Sequence, residues 1–162
     1  MVAISAVDKN FGIGYKNQLL FRIPEDMKFF KKTTIGSIVV MGRNTFDSLG
    51  AKPLSDRANF IITNKDDLDE RDDILSGTLE EIDCGIFLYS PPEDVYIIGG
   101  ETIYNIYIDK CDELLLTQYD RAYDSVDAYF PNPEEHGFHL KETISSGEYE
   151  GYQYSINRWT KN

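Results

Sequence analysis

The stretch V-Y-I-I-G-G-E-T-I-Y, residues 95–104, decides how this chain folds. Its first four residues are apolar or aromatic without a charge between them, the pattern of a strand covered on both faces. Two glycines break the run, and a helix opens behind them, read here over Glu101–Ile108. Strand, glycine turn and helix in direct succession form the unit of a parallel α/β sheet. The succession occurs once more upstream. S-I-V-V-M over Ser37–Met41 leads into Gly42-Arg43-Asn44-Thr45 and a short helix over Thr45–Leu49.

Working outward, Val2–Val7, Arg57–Thr63 and Glu113–Tyr119 read as further buried strands, and Asp73–Leu75 as a short one. Thr78–Tyr89 places Leu79, Ile82, Ile86 and Tyr89 at helical spacing, although G-I-F-L-Y alone suits a strand. Thr78 as a cap decides for helix, closed by Ser90-Pro91-Pro92. Phe138–Ile144 and Tyr152–Trp159 alternate and flank Gly147, as an antiparallel hairpin would. The expected fold is one α/β domain over residues 1–162: a mostly parallel sheet of about eight strands, helices on both faces, the hairpin at one edge.

One helix carries a misplaced charge. Pro24 suits a first helical position, and Ile23, Met27, Phe30 and Thr34 follow as one stripe. Asp26 borders that stripe, where a carboxylate is expensive to bury. As a plain first-turn acid it would only complement the helix dipole. Before this helix, Asp8–Arg22 has no clean periodicity but carries Gly12, Gly14 and apolar Phe11, Ile13, Leu19, Leu20 and Phe21. A segment of that kind reads as a functional lid.

Composition narrows the function. Hydrophobic residues make up 41% and aromatics 13%, enough for a core without metals or disulfides. Cys84 and Cys111 match no metal spacing and read as buried thiols in a reducing compartment. No apolar run reaches about 18 residues and no signal peptide opens the chain, so neither membrane nor export is expected, and the cytoplasm is. The net charge of -12, from 28 acids and 16 bases, argues against nucleic-acid binding. An anionic ligand needs locally placed cations, which directs attention to Arg43, Arg57 and Lys65. Asp66–Asp73 reads as a solvated acidic loop. The two glycine junctions suit phosphate, since glycine admits a ligand close to free backbone N–H groups. No G-x-G-x-x-G is present, so a Rossmann fingerprint is absent.

The motifs in their order resemble the dihydrofolate reductase family. The carriers are A-V-D-K-N-F-G-I-G from Ala6, I-P-E-D-M-K-F-F-K from Ile23, V-M-G-R-N-T-F-D-S-L from Val40, V-Y-I-I-G-G-E-T-I-Y from Val95, L-L-L-T from Leu114 and D-A-Y-F-P from Asp127. The resemblance implies NADPH-dependent reduction of 7,8-dihydrofolate to tetrahydrofolate for one-carbon metabolism, by a cytoplasmic monomer with no metal. It puts Asp26 against the pterin as the active-site carboxylate, hydrogen-bonded by Thr117 directly or through water, with Tyr104 near the reacting ring. A carboxylate beside Met27 and Phe30 should have a raised pKa. Ile4 and Ile98 would offer carbonyls to the pterin amino group. Phe21, Met27, Phe30 and Leu49 would line the substrate site, and Arg57 would clamp the glutamate carboxylate bidentately. For NADPH, the resemblance implies Gly99, Gly100, Glu101, Thr102, Ile103 and Tyr104 around the pyrophosphate, with a cis Gly99–Gly100 peptide. Gly42, Arg43, Asn44 and Thr45 would grip the other phosphate side. Arg43 with Thr63, Asn64 and Lys65 would receive the adenosine 2′-phosphate. Ala6, Ile13, Gly14, Asn17, Gln18 and Ile98 would contact the nicotinamide end. Leu20-Phe21 stands where the family shows Pro-Trp.

Two other readings compete. A pyrimidinone reductase of riboflavin synthesis has a similar fold and uses NADPH, but the Asp26 helix with Phe30 and the late Thr117 argue against it. A non-catalytic nucleotide-binding module leaves Asp26 without a purpose.

Overall fold

The computed structural model describes residues 1–69, 71–89 and 94–161. The helix stop expected at Ser90-Pro91-Pro92 lies outside them, as does part of the Asp66–Asp73 run. In chain order the elements are β1 (Val2–Val7), β2 (Gly12–Tyr15), β3 (Gln18–Leu19), α1 (Pro24–Thr34), β4 (Ile38–Gly42), α2 (Arg43–Ser48), β5 (Ala58–Ile62), β6 (Ile74–Gly77), α3 (Leu79–Tyr89), β7 (Val95–Gly99), α4 (Glu101–Tyr107), β8 (Glu113–Tyr119), β9 (Ala128–Tyr129), β10 (His139–Tyr149) and β11 (Tyr152–Thr160). The main sheet has eight strands in the order β10-β11-β8-β1-β7-β4-β5-β6. Strands β8, β1, β7, β4, β5 and β6 are parallel; at one edge β11 runs antiparallel to β8, and β10 antiparallel to β11.

Side-chain alternation shows why apolar runs make these strands. On β4, Ile38 and Val40 enter one buried cluster with Ile82 and Ile86 of α3 and Ile103, Tyr104 and Tyr107 of α4. Val39 and Met41 enter a second cluster with Phe46 of α2. Successive residues of a strand point to opposite faces, so the two clusters are the two sides of the sheet, each covered by helices. Val95 and Ile97 of β7 face the first cluster, Tyr96 and Ile98 the second.

Several boundaries differ from the sequence reading. The hairpin turns at Glu150 and Gly151, both at positive φ, as a two-residue turn between twisted strands requires. Gly147 lies inside β10 opposite Tyr154, whose ring leaves no room there: a Cβ at 147 would come within 2.6 Å of the phenol oxygen. The antiparallel pairing of the two strands agrees with the sequence, but β10 is exposed along most of its length instead of alternating, and Gly147 makes space for a ring and does not reverse the chain. Helix α2 begins at Arg43, two residues before Thr45, and β6 runs to Gly77. Cys111 is buried, whereas Cys84 on α3 is exposed, contrary to the reading of both as buried.

The segment before α1 is ordered by pairing. Strands β2 and β3 form a hairpin through Lys16 and Asn17, both at positive φ, and β2 pairs with β9 in a three-stranded sheet. The buried Asp8 carboxylate anchors it by accepting N–H bonds from Asn10, Gly12 and Tyr123. Gly12 is required by that knot, since its Cβ would stand 2.9 Å from the Asp8 oxygen.

Candidate active site

Strands β4 and β7 are adjacent and parallel, so both glycine junctions open at the same end of the sheet. There they pack against each other. A Cβ on Gly42 would meet Ile103 of α4 at 3.0 Å, and one on Gly100 would meet the Thr45 hydroxyl of α2 at 3.4 Å. Gly99 has φ +122°, open to glycine but strained for L side chains, and its Cβ would touch the Tyr104 ring at 3.3 Å. The Gly99–Gly100 peptide is cis. Together the junctions wall a cavity of about 440 Å³ lined by Gly42, Arg43, Asn44, Thr45, Gly100 and Thr102, among others. Helices α2 and α4 have only six and seven residues, so close backbone approach matters here more than a long helix dipole.

A second cavity, about 130 Å³, continues from the first by way of Asn17, Thr45, Gly100, Glu101, Asp127 and Ala128. Ile13, Gly14, Gln18, Ile98, Gly99 and Tyr104 line its inner end. The β2–β3 hairpin is held over this cleft by polar contacts: the Asn17 amide donates to the Asn44 carbonyl at 3.1 Å. From the neighbouring strand, the Tyr129 N–H donates to the Glu101 carboxylate at 2.9 Å. Tyr104 is buried, and its hydroxyl donates to the Ile4 carbonyl at 2.7 Å. Burial pushes that phenol's pKa well above its ordinary value, so it stays a neutral donor. Tyr104→Phe leaves a buried carbonyl without this donor. It should cost about 1 kcal/mol of stability in urea unfolding and change turnover less than about tenfold.

On the face of the sheet that carries α2, the Thr117 hydroxyl of β8 donates to the Asp26 carboxylate of α1 at 2.5 Å. Desolvation raises the Asp26 pKa above the ordinary carboxylate value, and the Thr117 bond offsets part of that rise. Met27 does not supply the covering. It is 43% exposed, because the next residue along a helix points about 100° away. Phe30, one turn on, is partly buried and lies beneath Arg57, whose guanidinium is 5.9 Å from the ring centroid.

Arg57 is only 8% exposed. Its Nε donates to the Ser55 carbonyl at 2.9 Å and one terminal nitrogen to the Thr34 hydroxyl at 3.0 Å. Thr34 in turn donates to the Phe30 carbonyl. Thr34 is therefore a positioning residue that the sequence reading placed only on an apolar stripe. Its signal was a fully buried hydroxyl at the end of that stripe, visible once Arg57 arrives beside it.

Two of the most similar relatives with assigned names are dihydrofolate reductases. One, from Bacillus subtilis, is 31% identical over 160 residues, 98% of this chain and 92% of that protein. The other, from Buchnera aphidicola, is 37% identical over 131 residues, 79% of this chain and 76% of that protein. A solved dihydrofolate reductase from Enterococcus faecalis, complexed with NADP(H) and RAB-propyl, superposes with a TM-score of 0.84 at 28% identity, covering 99% of this chain and 95% of that one. The family model described as dihydrofolate reductase matches residues 1–161. This chain belongs to the dihydrofolate reductase family.

The dihydrofolate reductase residues expected from sequence are distributed unevenly over the structure. Most of the cofactor set lines the two cavities; Ala6, Thr63, Asn64 and Lys65 do not. Thr63 is buried and accepts the Lys65 N–H at 3.1 Å, so it shapes the loop after β5. Ile62, Asp127 and Ala128 line the cleft and were not singled out, although the D-A-Y-F-P motif pointed at the last two. In the substrate set, Asp26, Thr117, Phe30 and Arg57 are drawn together in pairs, and Ile4 is bonded to Tyr104. Leu49 is 39% exposed. Phe21 packs on Tyr119 and Tyr123, with ring centroids 4.8 and 6.0 Å away. A phenyl ring has no N–H to offer there. Among the described residues no helix is long and apolar enough to cross a membrane.

Proposed function

We propose that this chain reduces 7,8-dihydrofolate to 5,6,7,8-tetrahydrofolate with NADPH, as a single-domain monomer acting in the cytoplasm on small molecules and not on nucleic acid. The observation that carries the chemistry is the partly buried Asp26 carboxylate held by Thr117 on the sheet face that carries α2. The acidic surface, at net charge -12, supports a small-molecule rather than a nucleic-acid partner.

The residues present fit NADPH. Gly42 and Gly100 line the larger cavity, which leaves their backbone within reach of a pyrophosphate, and Arg43 at the cavity wall supplies a cation. Bound NADPH supplies a hydride for the pterin C6. The chain must then satisfy N5, which gains a proton. The Asp26 carboxyl, whose proton affinity is raised by burial, assists this in its protonated form, and the proton taken up at N5 is drawn from solvent water. The carboxyl anchors the pterin's polar edge and makes protonation at N5 easier. Thr117 fixes the carboxylate and limits that rise. Ile4 and Ile98 offer carbonyls to the pterin amino group. Phe30 and Arg57 form the far end of the site, where a flat benzoyl ring meets an apolar face and a carboxylate meets a guanidinium.

Thr117→Val removes the contact that lowers the Asp26 pKa. The pH at which hydride transfer declines should move upward, with the low-pH rate reduced less than about tenfold. A pre-steady-state pH series reads this, and a downward move contradicts the role.

The direct test follows NADPH absorbance with dihydrofolate, with the ribosylated pyrimidinone of riboflavin synthesis, and with neither. Oxidation only with dihydrofolate is the expected result; oxidation only with the pyrimidinone overturns it. The pyrimidinone reading is not favoured, because the matching family model and the relatives of this chain are dihydrofolate reductases.

A further inference from the structure

The cation expected to receive the adenosine 2′-phosphate is already engaged. Arg43 Nη1 and Nη2 hold the two oxygens of Asp67 at 2.6 and 3.3 Å, and Nε holds Asp47 at 3.1 Å. Asp47 lies four residues on along α2 and orients the guanidinium from its own helix. Asp67 is different. It comes from the acidic loop after β5, is half exposed, and takes the forked edge that a phosphate would use. Arg43 itself is only 20% exposed and lines the larger cavity.

The local charge makes the conflict definite. Arg43 and Lys65 bring two positive charges, and Asp47 and Asp67 bring two negative ones. Lys65 lies near enough to Asp67 to help keep that carboxylate ionised, as Arg43 does more strongly. A phosphate monoester carries about −1.5 to −2 charges at neutral pH. It cannot share the fork of Arg43 with a carboxylate at 2.6 Å without strong repulsion.

We infer that Asp67 is a specificity-determining residue: its carboxylate occupies the 2′-phosphate seat on Arg43, so NADPH must displace it and NADH need not. The inference rests on the reading of this cleft as the NADPH site. Displacement carries the Asp67 loop outward and leaves Asp47 to hold Arg43. The preference for the phosphorylated cofactor is thus held below what Arg43 alone would confer. Salt, by screening the Arg43–Asp67 pair, lessens that handicap.

The experiment titrates the full-length chain and its Asp67→Asn variant by calorimetry with NADPH, NADH, 2′,5′-ADP and 5′-AMP, at low and at molar salt. Asp67→Ser repeats the loss of charge with a smaller side chain. Both variants should bind NADPH and 2′,5′-ADP about fivefold to tenfold more tightly at low salt, with NADH and 5′-AMP changed less than about twofold. The gain should shrink in molar salt. Unchanged or weaker binding of the phosphorylated ligands overturns the inference. So does equal tightening of both classes, or a chain that never distinguishes 2′,5′-ADP from 5′-AMP. Dihydrofolate turnover by the unaltered chain is measured alongside. Its failure counts against the reductase reading alone, because the fragment titrations need no hydride acceptor.

Discussion

Replacing Asp26 with asparagine is expected to slow hydride transfer at neutral pH by about 10²–10³-fold while NADPH binds as before. Asparagine has the same shape, and Thr117 can still donate to its side-chain oxygen, so the geometry at 2.5 Å has no reason to collapse. What is lost is the charge and the proton affinity. Single-turnover absorbance measurements give the rate, and a near-normal rate ends the assignment. The pH dependence has a definite sign. Burial raises the Asp26 pKa, so hydride transfer in the parent chain declines as pH rises through that raised value. The asparagine variant should lose this decline.

The same substitution should stabilise the fold. Between the ordinary carboxylate value of 3.8 and the raised one, the folded state holds a proton that the unfolded chain has released. Stability therefore falls as pH rises across that window, and the loss is complete above it. Above that window the ionised acid works against folding. Asp26→Asn should gain about 0.5–2 kcal/mol in urea unfolding above the window and nothing well below it.

Arg57→Lys is expected to raise KM for dihydrofolate about 100-fold and leave the NADPH dissociation constant within about twofold. Arg57 is nearly buried, donates to Ser55 and Thr34, and sits over the Phe30 ring. A lysine ammonium has no planar fork with which to do this and still meet a carboxylate in two places. Steady-state titration of each substrate separates the two effects. An equal loss for both would mean that the arginine supports the fold and not the ligand.

Much of this architecture could be read from residues alone. β4 and β7 announced themselves because every position is apolar, the mark of a strand buried on both sides. Asp26 announced itself as a charge beside a stripe. What escaped depended on contacts distant in sequence. The hairpin at Lys16 and Asn17 exists because β2 finds β9 more than 110 residues later, so the segment looked aperiodic. Gly147 resembled a turn because a local pattern cannot show the Tyr154 ring across the strand. Thr34 resembled a stripe member because its partner, Arg57, lies 23 positions away. Asp67 resembled a solvated acid because nothing nearby in the chain announces Arg43, 24 positions before it.

The order in which the strands enter the sheet bears on how the polypeptide is made. β1 lies between β7 and β8, and Thr117 follows Asp26 by 91 positions. While the ribosome is still adding the residues before Glu113, the first strand lacks one neighbour and the acid lacks its hydroxyl. Assembly of the reactive centre consequently waits for β8, and contacts of such long reach close slowly. A nascent chain cut short before β8 carries α1 and both glycine turns but has no reductase to offer the cell.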